Sequence, residues 1–387
     1  MALATPSARQ QRPLNSRRWD PLSPFLHVDL MLVIGVLALS VMGAAMIYSA
    51  TRGQDPTAFD TSFLERQVIF IMLGSALMVG TALIPYERLH AWAPAFYFGG
   101  VLGLIGVLAV GVERNGAKSW FAFGSFNLQP SEFLKVGFIV VLASLLSRID
   151  SELNVRQLAI ALGLAGVPLL LIMQQPDVGT ALVFIAIIMG MLLVGGVRFT
   201  HVMVLTTAGI GLAALIWNSG ALESYQQDRL RSFLDPEGTQ TDIGYQQQQS
   251  QIAIGNGGLR GRGFGEGGQT QGEFVPEQHT DFIFTVVGEE LGFFGSVIVL
   301  CLFALVIWRV WRTAKKAADT FGSLICVGVM TMMVFQMFQS IGMTTGIMPI
   351  TGIPAPFLSY GGSSALTNFI AVGLVLNVHM RRHVVRT

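Results

Sequence analysis

The chain has 387 residues, of which 52% are hydrophobic and only 12% charged, and its mean hydropathy is +0.59. A soluble domain carries about 25% charged residues, so this composition argues against an ordinary soluble enzyme. A net charge of +1 and the lack of a basic stripe exclude the electrostatic footprint of a nucleic-acid-binding protein. The two cysteines, Cys301 and Cys326, provide neither a disulfide framework nor a metal cage of known spacing.

Long apolar runs dominate the rest of the chain. A membrane-spanning helix needs about 20 apolar residues, and ten runs approach or reach that length. They are Leu30–Tyr48, Val68–Ile84, Ala91–Val112, Phe133–Leu146, Leu158–Met173, Thr180–Val197, Val202–Trp217, Phe282–Trp308, Phe321–Met343 and Ser363–Met380. The only charged residues inside them are Lys135, Glu289 and Glu290. The pattern predicts an all-α integral membrane protein with ten transmembrane helices.

Basic residues in short loops predict the orientation, because they are retained on the cytoplasmic side. A cytoplasmic N-terminus leaves only Arg52, Arg66, Arg114 and Lys118 in the short loops of the opposite face. Both termini are then cytoplasmic. Residues 1–24, rich in Arg and Pro, are predicted to be a flexible cytoplasmic tail, and residues 25–387 a single polytopic membrane domain.

One connection, residues 218–281, is far longer than the others and is predicted to be a large extracytoplasmic loop between helices 7 and 8. Connections of this length are usually functional or disordered. Nine of the eighteen residues from Gly255 to Gly272 are glycine. Such a tract allows close approach of the backbone to a ligand, and Arg260 and Arg262 could bind phosphate there. A flexible surface loop without a ligand is the alternative.

Polar residues gather at the outer ends of the predicted helices. Asp281 ends the long loop, where its carboxylate could merely cap the next helix or could serve catalysis. Glu289 and Glu290 are expected about 12 Å deeper, either facing a cavity or in structural pairs. Further polar segments are 115–120, 129–135, 174–180 and 352–364. Each could be turn or cap chemistry alone, but their common membrane face favours a shared polar vestibule.

Five ordered segments resemble the SEDS (shape, elongation, division and sporulation) family of bacterial cell-envelope proteins. They are Gln175–Thr180, Tyr245–Gly255, Pro276–Phe282, Gly288–Gly292 and Ser359–Ser364. The resemblance covers the chain from Leu30 to Arg382. The segments Ile341–Gly346 and Pro349–Pro354 are similar to the elongation branch of the family rather than to the division branch.

The resemblance implies a GT-C-like fold and a peptidoglycan glycosyltransferase that polymerises lipid II into glycan strands at the outer face of the bacterial cytoplasmic membrane. In the family, the Asp of the His-Thr-Asp-Phe motif is the general base, which here is Asp281. It would deprotonate the 4-hydroxyl of the acceptor N-acetylglucosamine, which attacks the lipid-pyrophosphate-linked donor with inversion. Other expected site residues are Lys118, Trp120, Glu132, Lys135, Asp177, Arg260, Arg262, Glu277, His279 and Ser363.

The negative charge of the leaving pyrophosphate requires cations or backbone amides. Lys118, Arg260, Arg262 and Lys135 are the candidates, and a divalent cation (Mg²⁺ or Mn²⁺) could share this role. No organic cofactor is expected. The resemblance also implies a partner, a class B penicillin-binding protein that crosslinks the strands.

Two other functions remain open. A transporter that flips lipid II across the bilayer would also have many spans and buried charges. The position of Asp281 at the outer surface, rather than at mid-membrane, favours the enzyme. A scaffold that only holds a partner is the third possibility, and it should tolerate Asp281→Asn.

Overall fold

The computed structural model describes residues 27–52, 60–114, 117–124, 126–149, 153–219, 227, 229, 233, 242–272 and 274–382. The predicted cytoplasmic tail, residues 1–24, lies outside the described residues. Within these ranges the helices are α1 (Leu30–Thr51), α2 (Ser62–Leu83), α3 (Tyr86–Val110), α4 (Pro130–Leu146), α5 (Val155–Met173), α6 (Val178–Val194), α7 (Phe199–Ser219), α8 (Asp242–Gly257), α9 (Gly268–Gln271), α10 (Ile283–Glu290), α11 (Gly292–Lys315), α12 (Thr320–Thr345) and α13 (Gly362–Arg381).

The helical membrane architecture is confirmed in its main feature. Among the described residues, seven helices are long and apolar enough to cross a membrane, namely α1, α2, α3, α5, α11, α12 and α13. α4 and α6 have 17 residues each, and the apolar part of α7 is shorter still. Every one of the ten predicted runs overlaps a helix, but ten crossings and their orientation remain predictions.

A small antiparallel sheet between α3 and α4 departs from the all-α prediction. It consists of β1 (Val112–Arg114), β2 (Ala117–Phe123) and β3 (Phe126–Leu128) in the order β1-β2-β3. Phe121 pairs with Leu128 across the second ladder. Trp120 belongs to β2, which lies beside the start of α4. From the sequence, residues 115–120 were predicted to be a polar connection and not part of a strand.

The predicted eighth span is broken in two. α10 ends at Glu290 and α11 begins at Gly292, whose φ is +64°. Such a left-handed conformation is accessible mainly to glycine. Both carboxylates make the structural pairs that the sequence left open: Ser49, near the end of α1, donates to Oε1 of Glu290 at 2.6 Å, while Glu289 accepts from the N–H of Thr270 in the loop segment. Their expected depth stays a prediction. The carboxylates therefore lie beside the loop.

The core is centred on α12 and α13, which are the most buried of the long helices. Small residues allow these helices to pack closely on their neighbours. A Cβ added at Gly373 of α13 would lie 2.6 Å from the carbonyl oxygen of Met78 in α2, and one at Gly328 of α12 would lie 2.7 Å from the side chain of Ile139 in α4. This tight core fixes the N-terminal ends of α4 and α13, which frame the candidate site.

Candidate active site

One cavity of about 570 Å³ collects most of the predicted polar residues. Its volume falls within the range typical of small-molecule sites. Its walls come from β2 and the start of α4, the start of α6, the end of the long loop, and the segment before α13. Of the predicted site residues, Trp120, Glu132, Lys135, Asp177, Glu277, Asp281 and Ser363 line it. The structure thus supports the shared polar vestibule.

Asp281 sits in a tight turn that holds its carboxylate at the cavity. Its backbone N–H donates to the carbonyl oxygen of Glu277 at 3.2 Å, and Thr280 Oγ1 donates to Glu277 Oε2 at 3.1 Å. Glu277 itself adopts a φ of +54°, a strained conformation of the kind that concentrates at functional sites. Opposite the turn, Gly352 has a φ of +71°, and a Cβ there would lie 3.2 Å from Asp281 Oδ2.

The carboxylate of Asp281 does not cap the following helix. The N-cap of α10 is Phe282, and this helix end has no side-chain capping hydrogen bond. By contrast, Asp177 caps α6: its Oδ1 accepts from the N–H of Thr180 at 2.9 Å. The capping interpretation therefore applies to Asp177 and not to Asp281, whose carboxylate remains available for chemistry.

The surroundings of Asp281 give it the ionisation of a base that works near neutral pH. Burial raises the pKa of Asp281 from 3.8 to about 7; the charges of Glu277 and Asp177 also raise this pKa, and that of Arg229 lowers it. A general base is most effective when its pKa lies near the working pH. A strongly perturbed carboxylate in a polar cavity is typical of a catalytic site.

Asp177 joins two walls of the cavity. Besides its bond to the N–H of Thr180, it accepts through Oδ2 from Thr180 Oγ1 at 2.7 Å and from Gln129 Nε2 at 3.1 Å. Ser363, at the start of α13, accepts from the N–H of Gln129 at 3.0 Å and donates to the carbonyl oxygen of Asn127 at 3.1 Å. Asp177 and Ser363 thereby hold the starts of α4, α6 and α13 together.

Glu132 and Lys135 form a buried ion pair on the first turns of α4. Lys135 Nζ lies 2.7 Å from Glu132 Oε1, and their side chains are 1% and 5% exposed. The second oxygen of Glu132 has no hydrogen-bond partner among the described residues. Because Glu132 neutralises the lysine, the pair presents a polar wall with little net charge.

His279 lies behind the turn rather than in the cavity lining. Its ring packs edge-on against Phe63 at 4.8 Å and lies 5.7 Å from the ring of Tyr360. Its carbonyl oxygen accepts from the N–H of Tyr360 at 2.9 Å. Burial lowers the pKa of His279, so the imidazole is neutral at pH 7. In this structure His279 holds the turn that carries Asp281 against the segment before α13.

Three of the basic residues predicted for the site do not line the cavity. Lys118 Nζ donates to the carbonyl oxygens of Leu108 and Ala109 at 3.0 and 3.3 Å, at the C-terminal end of α3. The side chains of Arg260 and Arg262 are exposed and do not line the cavity. Their roles as substrate ligands remain predictions, without support from the placement of these residues.

Sequence reasoning missed Arg229, which lines the cavity and acts on Asp281. It belongs to the long loop, in a part from which only residues 227, 229 and 233 are described. The only available signal was a basic residue in that loop, and the loop contains several others. Gln129, Thr180 and Tyr360 also line the cavity. They belong to segments that the sequence analysis singled out, but they were not chosen as site residues.

The part of the chain that the structure describes offers no complete ligand set for the predicted divalent cation. Among the described residues, no three His, Cys, Asp or Glu side chains lie close enough together to hold a metal ion. A Mg²⁺ ion can be held by one or two carboxylates together with substrate phosphates, and polymer formation with and without a chelator would test for it. The side chains of the described residues therefore do not form a metal cage by themselves.

Comparison with known proteins agrees with this architecture. Residues 29–384 match the family model FTSW_RODA_SPOVE, described as "Cell cycle protein". Stage V sporulation protein E of Bacillus subtilis is 38% identical over 90% of this chain and 96% of its own length. Peptidoglycan glycosyltransferase MrdB of Escherichia coli K12 is 36% identical over 94% and 95%.

Solved structures share the fold as well. A chain of a peptidoglycan synthase complex, studied for the coordination of polymerization and crosslinking, superposes with a TM-score of 0.81 at 32% identity and covers 93% of this chain and 99% of its own. The rod shape determining protein RodA of Thermus thermophilus gives a TM-score of 0.69 at 30% identity, covering 93% and 99%.

Proposed function

Because this chain belongs to the FtsW, RodA and SpoVE family and is RodA-like, we propose that it is a peptidoglycan glycosyltransferase that polymerises lipid II. It is a multi-pass membrane protein. The observation that carries the proposal is a single carboxylate, Asp281, held in a polar cavity with a pKa of about 7. The similarity to MrdB and RodA supports a role in cell elongation.

The chemistry assigned to Asp281 is general base catalysis. A sugar hydroxyl is a weak nucleophile and gains reactivity when a positioned base accepts its proton during attack. The 4-hydroxyl of the acceptor N-acetylglucosamine gives its proton to the carboxylate of Asp281. The new C–O bond forms at the anomeric carbon of the donor as the bond to the lipid pyrophosphate breaks. A single displacement inverts the configuration at that carbon.

The departing pyrophosphate needs positive charge or hydrogen-bond donors. Arg229 is the cavity cation whose charge acts directly on Asp281. Lys135 also lines the cavity, but its ion pair with Glu132 at 2.7 Å reduces its value for binding phosphate. Arg229 is therefore the side chain that we assign to the leaving group.

The reaction takes place at the outer face of the bacterial cytoplasmic membrane, where lipid II and the lipid-linked glycan strand meet. The predicted orientation, with basic loops inside, supports this placement. A class B penicillin-binding protein is the proposed partner, and the similarity to a chain of a complex that coordinates polymerization and crosslinking supports it.

Polymer synthesis by the purified protein tests the function against lipid II transport. The protein in detergent is given lipid II, and products are separated by gel electrophoresis. An enzyme makes glycan strands without a bilayer to cross. A folded protein that makes no strands, yet equilibrates lipid II across the membrane of proteoliposomes, would instead be a transporter.

A further inference from the structure

The Gly-rich tract of the long loop packs against protein backbone. Residues 257–263 wrap around the junction of α10 and α11, where Phe293 N–H donates to the carbonyl oxygen of Gly258 at 2.9 Å. A Cβ at Gly257 would collide with the carbonyl oxygen of Gly288, and one at Gly261 with that of Glu290. In this part of the tract the glycines permit close approach to α10, which is a different use from the expected ligand contact.

Glu289 fixes the next part of the tract through three hydrogen bonds. Its Oε1 accepts from the N–H of Gln269 at 2.8 Å, and its Oε2 accepts from the N–H and Oγ1 of Thr270 at 2.8 and 2.7 Å. Glu289 is 1% exposed. Charge-assisted bonds of this kind are stronger than neutral ones, so the carboxylate holds α9 firmly against α10.

Thr270 connects α9 to the turn that carries Asp281 through a hydrogen bond with Gln278. Its carbonyl oxygen accepts from Gln278 Nε2 at 2.8 Å, and the same Nε2 donates to the carbonyl oxygen of Ala50 in α1 at 3.2 Å. Gln278 and Thr270 are both buried. Gln278 lies within the turn whose backbone bonds place Asp281.

We infer that Glu289, Thr270 and Gln278 form a latch that positions the carboxylate of Asp281 for proton transfer. The three are positioning residues: the latch runs from α10 through α9 to the catalytic turn and is anchored on α1. This inference rests on the proposed function. A displacement of about 1 Å in an active site can cost a hundredfold in rate, so the latch should act on kcat more than on substrate binding.

The latch should also control how far Asp281 is shielded from water. Burial is the largest cause that raises the pKa of Asp281, and the charges of Glu277, Asp177 and Arg229 act beside it. Glu132 and Lys135 line the same cavity as Asp281, and the neutral ring of His279 lies behind the turn. A loosened turn admits water, which lowers the pKa of Asp281. A purely structural role would not move this pKa.

Glu289→Gln tests the latch, because it keeps the shape of the side chain and replaces one acceptor oxygen by an amide. Glu266→Gln is the matched control, since Glu266 lies in the same tract with an exposed side chain. We expect kcat for polymer synthesis at pH 7 to fall about tenfold or more in Glu289→Gln, with a KM for lipid II within about threefold of wild type. The acid limb of the pH profile should move to lower pH, and the control should match wild type.

Gln278→Met gives a second, milder variant that removes both Nε2 bonds. Hydrogen exchange of the backbone amides of Asp281 and Phe282 provides a readout that does not depend on activity. In Glu289→Gln and Gln278→Met these amides should exchange faster than in wild type and in Glu266→Gln. Folded variants with wild-type kcat, pH profile and exchange would overturn the latch. If wild type itself makes no polymer, the proposed function fails, and the exchange rates alone still decide whether the latch holds the turn.

Discussion

Ionisation of Asp281 should set the pH dependence of strand synthesis. The pKa of about 7 means that the base is about one-tenth ionised at pH 6 and about nine-tenths ionised at pH 8. Because only the ionised carboxylate accepts the proton of the sugar hydroxyl, kcat/KM should rise about tenfold between these pH values. Initial rates of polymer formation from lipid II in detergent, measured across pH 5 to 9, provide the assay.

Two substitutions in the cavity should move this midpoint in opposite directions. Glu277→Gln removes a charge that raises the pKa of Asp281, so the midpoint should fall below that of wild type; Arg229→Gln removes a charge that lowers this pKa, so the midpoint should rise. Glu266→Gln, on the exposed loop, should leave it unchanged. A flat profile between pH 6 and 8, or a midpoint near 4 in wild type, would refute the role given to the surroundings of Asp281.

Three further substitutions test the site. Asp281→Asn should stabilise the protein at pH 8 by about 4 kcal/mol, because the pKa of this carboxyl rises on folding from 3.8 to about 7 and each unit of that rise costs about 1.4 kcal/mol once the pH exceeds both values. Since the stability of the wild type falls as the pH increases from about 4 to about 7, thermal unfolding in detergent should show the gain at pH 8 and little gain at pH 4; an equal gain at both would contradict the burial of this charge. Gly352→Ala places a Cβ 3.2 Å from Asp281 Oδ2 on a backbone with φ of +71°, a left-handed conformation that costs a residue with a side chain about 1–2 kcal/mol of folding free energy. The rate of polymer synthesis should fall while the protein stays folded, and wild-type kinetics would count against the contact. Lys135→Met leaves Glu132 buried without its cation and should lower the free energy of unfolding by about 3–5 kcal/mol, whereas adding Glu132→Gln should recover most of the loss; a double variant no better than the single one would argue against the ion pair.

The helices were predictable because a bilayer requires long apolar runs, and each predicted run overlaps an observed helix. The break at Gly292 was not predictable, because the apolar run resumes directly after Glu289 and Glu290 and the Gly-rich tract that packs on the break is distant in sequence. The sheet at residues 112–128 was hidden for a different reason: its strands are short, two of them with three residues each.

Among the site residues, Asp281, Asp177 and Glu132 were found because their motifs lie at helix ends that the topology brings together. Arg229 was missed because only the folding of the long loop brings it to the cavity. Lys118 was assigned to phosphate from its charge, but its Nζ binds carbonyl oxygens at the end of α3, where a cation is favoured by the helix dipole. A charged side chain alone does not reveal which partner it meets.

The rate of glycan synthesis by purified Asp281→Asn protein is the most direct measure of the central claim. The substitution keeps the size of the side chain and removes its capacity to accept the proton, so the rate should fall by about 10²- to 10⁴-fold while lipid II still binds. An Asp281→Asn protein that makes strands within about threefold of the wild-type rate would show that the carboxylate is not the base.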